Sequence, residues 1–239
     1  MKRVYLAASI ALVAGLAFLF GWSNFFTVKK VTIGISDAKV VNQIEGVLAQ
    51  PPAAISIGEK LARVDKRVIA GRLKSLAWID RAWIYRNFIT GEVKISLTSR
   101  RPIARFAGNS ASVKFLAENL ETFSLTGEAI TSATRTNSFE WKALPIIDVA
   151  NPSDQNLSDV KSFIEEIAGQ GLVIKSIEAT SPDEIVSVLS LGSRMVEVRW
   201  GSVHELKIKK RVLDALLAAP ENKKVKSIDL SDPQNPTVK

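Results

Sequence analysis

Hydrophobic and polar positions alternate at three different periods along the chain, and each period predicts a different kind of element. From residue 4 to residue 28 no charged side chain occurs, and the run is dense in Leu, Ala, Val, Ile and Phe. Lys2-Arg3 precedes it and Lys29-Lys30 follows it. As a helix this run would reach about 37 Å at ~1.5 Å per residue, against a hydrocarbon core of roughly 30 Å. The pattern predicts a transmembrane helix over 4–26 behind a short cytoplasmic tail, 1–3. Trp22, Phe25 and Phe26 would lie at the interface that aromatic rings favour. The alternative is a cleaved signal peptide, with Gly21-Trp22-Ser23 as a faint cleavage pattern. The apolar run is longer than a typical signal core of roughly 7–15 residues, so the uncleaved anchor is the expectation. The flanking charges weakly favour a cytoplasmic N-terminus, with the rest of the chain on the far side of a single-pass membrane anchor.

Residues 27–99 read as a compact unit. Val31, Ile33 and Ile35 alternate with polar residues or Gly, as a half-buried strand requires. Ser36-Asp37 offers capping oxygens to a helix whose Val40, Val41, Ile44, Val47 and Leu48 fall at helical spacing. Pro51-Pro52 ends that helix. Asp65 caps a second helix carrying Val68, Ile69, Leu73 and Leu76. Two strands follow, 78–87 and one in which Val93, Ile95 and Leu97 alternate with Lys94, Ser96 and Thr98; Thr90-Gly91 is the turn. The predicted order is strand, helix, helix, strand, strand.

Arg100-Arg101-Pro102 opens a second, strand-rich unit over 100–231, followed by a C-terminal tail, 232–239. Short strands are predicted at 103–107 and 113–116, separated by Gly108-Asn109, and a Ser/Thr-rich loop at 131–138. A helix carries Leu157, Val160, Ile164 and Ile167 and stops near Gly169 and Gly171. A meander over 172–200 is broken at Ser181-Pro182 and Gly192-Ser193. A last helix over 204–218 and one strand over 225–230 complete the unit. The fold class is α+β: one N-terminal transmembrane helix and two mixed domains.

Composition narrows the chemistry. The 239 residues include no Cys and one His, which removes disulfides, thiol nucleophiles and Cys- or His-rich metal sites. The net charge of +8 calls for a polyanionic partner to be considered. His204-Glu205 begins like a zinc-protease motif, but Ile208 stands where the second His belongs. Ser36-x-x-Lys39 and Ser158-x-x-Lys161 have the spacing of the penicillin-binding nucleophile motif. Both serines fall where a helix should begin, and a capping role is the simpler reading. Lys207, Lys209, Lys210 and Arg211 crowd the last helix, with Lys223, Lys224 and Lys226 beyond it. They form either a surface for anionic lipid or wall polymer, or the solvated back of a helix. No nucleic-acid motif accompanies them. No catalytic, metal or cofactor site is expected, and the sequence reads as a binding or scaffolding protein.

Taken in order, these residues resemble the FtsQ/DivIB cell-division proteins. Leu73, Leu76, Trp78-Ile79, Ala82, Ile84 and Arg86 are similar to the approach to the second strand of an FtsQ-type POTRA domain. Val93-Lys94-Ile95 and Arg100-Arg101-Pro102-Ile103-Ala104-Arg105-Phe106 look like its closing strand and exit, and residues 26–34 like its entry. Leu144-Pro145, Arg199-Trp200-Gly201 and Ile228-Asp229-Leu230 extend the likeness more thinly. The family's hairpin proline after Arg86 is absent, and Ser99 stands where an acidic residue is usual.

The resemblance implies a POTRA domain at 27–99, an FtsQ/DivIB β domain at 100–231, and a non-enzymatic adaptor in septum formation. It implies as partners FtsB/DivIC-type and FtsL-type coiled-coil division proteins, docked at the final strand. Val225, Lys226, Ile228 and Leu230 are the candidate contacts there, with core burial the alternative for Ile228 and Leu230. Arg81, Trp83 and Tyr85, alternating on the second strand, are candidates for recruitment contacts. Two other readings stay open: a membrane-anchored cell-wall enzyme using Ser36 or Ser158, and a generic POTRA-containing envelope adaptor.

Overall fold

The computed structural model describes residues 2–21, 26–51, 54–108, 111–137, 140–168, 172–181 and 183–239. The aromatic pair Trp22 and Phe25, and the breaks expected at Pro52, Asn109, Gly169, Gly171 and Pro182, lie outside the described residues.

The first helix, α1, runs Lys2–Gly21. Among the described residues no helix is long and apolar enough to cross a membrane. That overturns the expected transmembrane span over 4–26 and, with it, the single-pass membrane placement. The physical reason is length. Once Lys2 and Arg3 are set aside, the described part of α1 covers about 27 Å at ~1.5 Å per residue, short of a hydrocarbon core of roughly 30 Å.

The chain divides into two compact units: 1–100 with 131–138, and 101–130 with 139–239. In the first, β1 (Lys30–Ile33), α2 (Ala38–Leu48), α3 (Lys66–Leu73), β2 (Ile79–Asn87) and β3 (Glu92–Ser99) follow one another, with a 3-10 turn at Leu61–Arg63. Asp37 and Asp65 begin the two helices by accepting the backbone N–H groups of Lys39 and Val40, and of Arg67 and Val68. The strands form one sheet in the order β1-β3-β2, with β1 parallel and β2 antiparallel to β3. One face buries Ile79, Ile84, Val93 and Ile95 together with Val40, Ile44, Leu48, Ile69 and Leu73 of the helices. The other face carries Arg81, Trp83 and Tyr85, all three exposed.

Two details hold this unit in register. Gly91, at φ +75°, donates to Asn87 O and accepts from Lys29 N at 2.8 Å, joining the β2–β3 hairpin to the entry of β1. A Cβ there would lie 2.7 Å from Lys29 Cγ and 2.8 Å from the Thr27 carbonyl oxygen, so only glycine fits. Arg86 points toward the helices, where its Nη1 donates to the carbonyls of Leu61 and Val64, both at 3.1 Å.

The second unit is built on a nine-stranded sheet. β4 (Pro102–Phe106), β5 (Ser112–Ala117) and β6 (Thr122–Thr126) form a meander. α4 (Gly127–Asn137), whose residues from 131 onward are grouped with the first unit, and β7 (Ile146–Val149) follow, then α5 (Asp154–Ile167). β8 (Val173–Ser181), β9 (Glu184–Leu191) and β10 (Arg194–Gly201) make a second meander. α6 (Leu206–Ala218), β11 (Ser227–Asp229) and β12 (Thr237–Val238) complete it, in the sheet order β12-β11-β10-β9-β8-β7-β4-β5-β6. α5 and α6 pack on one face. Phe163 of α5 meets Trp200 edge-on at 5.2 Å, and the indole N–H of Trp200 donates to Ser187 Oγ at 2.8 Å.

The loop expected over 131–138 is replaced by helix over its described part, 131–137. Residues 131–137 lie in α4, where Ile130 and Ala133, three apart, are both buried. Within the C-terminal tail, 232–239, Thr237 and Val238 form β12.

Candidate partner-binding edges

On β2 the side chains alternate between sheet faces, so Arg81, Trp83 and Tyr85 share the outward one. Their partners on β3 are Thr98, Ser96 and Lys94. Trp83 is 40% and Tyr85 57% exposed, which is high for rings of this size and separates them from the buried Trp78 on the same approach. Arg81 Nε lies 3.5 Å from Asp80 Oδ2, a surface pair that leaves the guanidinium accessible. β2 is also an outermost strand of its sheet, so one row of its main-chain groups has no strand partner. At the hairpin end the same face runs into a groove of about 500 Å³ lined by Tyr85, Phe88, Ile89 and Lys94. Ile89 is 92% exposed. This extension was not among the expected contacts; its signal was an isoleucine in the turn, two residues before the glycine that closes it.

At the other candidate site the four residues separate. Ile228 and Leu230 are completely buried and Val225 nearly so, all three within the hydrophobic core of the second unit, while Lys226 is exposed. Their apolar side chains are therefore core, and what β11 can offer a partner is main chain. Nor is β11 outermost. It pairs with β10 in parallel on one side and with β12, antiparallel, on the other. The turn between β11 and β12 is set by two acids. Asp229 Oδ1 accepts Ser231 N, and Asp232 accepts Gln234 N and the Asn235 amide, each at 2.9 Å. The Asn235 hydrogen bond, then that of Gln234, lowers the Asp232 pKa from its ordinary value.

The remaining candidates are dispersed. Ser36 precedes the capping Asp37, and Ser153, not Ser158, caps α5 by accepting Asn156 N. Lys161 turns to Glu165 at 3.7 Å. His204 is exposed just before α6. The expected basic helix face is divided by burial. Lys207 and Arg211 are exposed, whereas Lys209 Nζ donates to the carbonyls of Trp200 at 2.6 Å and Ser202 at 2.9 Å. Lys210 reaches the Glu166 carbonyl at 3.3 Å. Burial lowers the Lys209 pKa, partly opposed by the nearby Glu205 carboxylate. Two lysines that composition assigns to a surface thus tie α6 to β10 and α5.

Among the described residues no group of three or more His, Cys, Asp or Glu is placed to hold a metal ion. No family model matches the chain, and no curated protein matches it.

Proposed function

We propose that this chain is a non-catalytic scaffold of the bacterial division machinery, of the FtsQ/DivIB kind, working through sheet edges and one open sheet face. The observation that carries the reading is the outward row Arg81, Trp83 and Tyr85 on an outermost strand whose opposite face is packed by helices. Large amphipathic rings beside an exposed guanidinium are the groups that concentrate binding energy at interfaces. The strand-helix-helix-strand-strand order and the motif residues around Trp78 and Arg101 support the assignment to this family. The partners would be the coiled-coil division proteins of the FtsB/DivIC and FtsL types, taken up at the two sheet edges by strand addition.

The test is co-purification of the full chain with its FtsB/DivIC- and FtsL-type partners, alongside rescue of cells depleted of the chain. Loss of the wild-type protein should produce filaments. The Trp83→Ala/Tyr85→Ala variant should fold, as both rings are exposed, yet lose at least about tenfold in capture of a partner that docks on this face. Undiminished capture and full rescue by that variant would remove the face from the proposal. Normal division without the chain would remove the function.

A further inference from the structure

Ile57 and Ile89 are the two most exposed large apolar side chains among the described residues, at 76% and 92%. They lie far apart in sequence, on separate turns, yet both turns border the same short segment, residues 26–29. On one side Gly58 N donates to Val28 O and Val28 N to Glu59 O, both at 2.7 Å, and Leu61 N donates to Phe26 O at 2.9 Å. On the other, Lys29 N donates to Gly91 O at 2.8 Å, and the Phe26 ring meets Phe88 edge-on at 6.1 Å. A glycine in the left-handed conformation closes each turn, Gly58 at φ +90° and Gly91 at φ +75°, so each isoleucine sits at a tight tip. One end of the first unit therefore carries two aliphatic tips that its own core does not use.

The same end is basic. Lys29 and Lys30 are exposed in and beside the bordered segment, and Lys94 is exposed on the wall of the groove that Phe88 and Ile89 line. Among the described residues none of the three has a carboxylate within ion-pair distance. The acids close by are half-buried and hydrogen-bonded: Glu92 Oε1 accepts from the Thr32 hydroxyl at 2.5 Å, and Glu59 Oε2 from Ser56 N at 3.4 Å. The Arg86 guanidinium is held by the Leu61 and Val64 carbonyls and does not belong to the set. Aliphatic tips flanked by lysines, whose long stems let an ammonium stay in water while the tip goes under, match an anionic lipid surface. Protein hot spots favour Trp, Tyr and Arg instead, which is the composition of the outward row of β2.

We propose that the turns holding Ile57 and Ile89 dock on the surface of a bilayer containing anionic phospholipid. The two isoleucines enter the boundary between headgroups and acyl chains, and Lys29, Lys30 and Lys94 meet the headgroup phosphates. Such binding rests on buried apolar area together with attraction to anionic lipid, so loss of either part weakens it. The contact calls on no helix to cross the bilayer, and it is independent of which proteins the chain scaffolds.

The chain has no Cys, so single labels can be placed beside the tips without altering them. Ser56→Cys and Thr90→Cys, both at exposed positions, carry a polarity-sensitive fluorophore next to Ile57 and Ile89. Ser75→Cys, exposed ahead of the end of β2 away from the hairpin, is the control. α1 also exposes apolar side chains, Leu6, Ile10 and Val13 among them, so total vesicle binding does not isolate the turns and the readout is local. With the full chain on vesicles of phosphatidylglycerol and phosphatidylcholine, the labels at 56 and 90 should shift to the blue and be quenched by spin-labelled acyl chains. The label at 75 should do neither. Adding Ile57→Asp/Ile89→Asp or Lys30→Gln/Lys94→Gln should cut that quenching at least about threefold, as should vesicles of phosphatidylcholine alone. All four side chains are exposed, and a denaturation midpoint matching that of the wild-type chain verifies the fold of each variant. Aqueous emission at 56 and 90 on the anionic vesicles, equal quenching at 75, or quenching retained by either variant would overturn the lipid contact. So would a shift that appears only when the coiled-coil partners are added, which would make this end a protein surface. A shift produced equally by soluble polyglutamate, without acyl-chain quenching, would make it a polymer site and overturn the contact too.

Discussion

Gly91 shows how a single position fixes a register. The left-handed turn and the approach of Lys29 and Thr27 leave no room for a side chain, so Gly91→Ala should cost about 1–3 kcal/mol in chemical denaturation. A surface glycine such as Gly46, with nothing near its missing Cβ, should tolerate the same change. Lys209 offers a pH test. Its lowered pKa means that, between the folded value and the ordinary 10.5, the unfolded chain holds a proton that the native chain has released. Stability should therefore rise with pH across that window, and the rise should vanish in Lys209→Met; denaturation curves from neutral pH to about 10.5 measure it. Composition hid this residue, because a lysine among lysines reads as surface until burial is known.

At the level of elements, periodicity located most of the helices and strands and misplaced their ends. The strand alternation of residues 93–98 and the helical spacing of Val40, Ile44 and Leu48 correspond to β3 and α2. β6 has no counterpart among the expected strands although Thr122–Thr126 alternates perfectly, because five residues carry little signal. α4 was read as a loop because its hydroxyl side chains compete for backbone hydrogen bonds, and only the burial of Ile130 and Ala133 outweighs that preference. The caps make a sharp distinction among serines. Ser153→Ala should cost about 1 kcal/mol by removing the acceptor for Asn156 N, whereas Ser158→Ala and Ser36→Ala should change stability by less than about 0.5 kcal/mol. If either of the last two abolished cell function without unfolding the chain, the cell-wall-enzyme alternative would return.

For the molecule as a whole, the two compact units meet along the chain at Arg100, within the Arg-Arg-Pro sequence, where charge and a rigid residue interrupt two alternating strands. What was not visible was the order of strands in the larger sheet. Local pattern finds each strand, but β4 pairs with β7 and β10 with β11 across long crossovers, and no short-range signal encodes such partners. The candidate contacts fared unevenly for the same reason: the exposure of Trp83 and Tyr85 follows from two-residue alternation, whereas the burial of Ile228 depends on helices distant in sequence. The first helix illustrates the opposite error, in which a long uncharged run suggested more helix than the described residues contain.

The order of strands gives β7 a mechanical role. It has four residues and is flanked on both sides by parallel ladders, to β4 through Arg105 and Phe106 and to β8 through Ser176 to Ala179. Every other neighbour pair in that sheet except β10·β11 is antiparallel. Within the sheet, two meanders are thus joined by one short strand. Pulled from its ends, the second unit should part first along β7, giving two extension steps in a force ramp where a uniformly knitted sheet would give one.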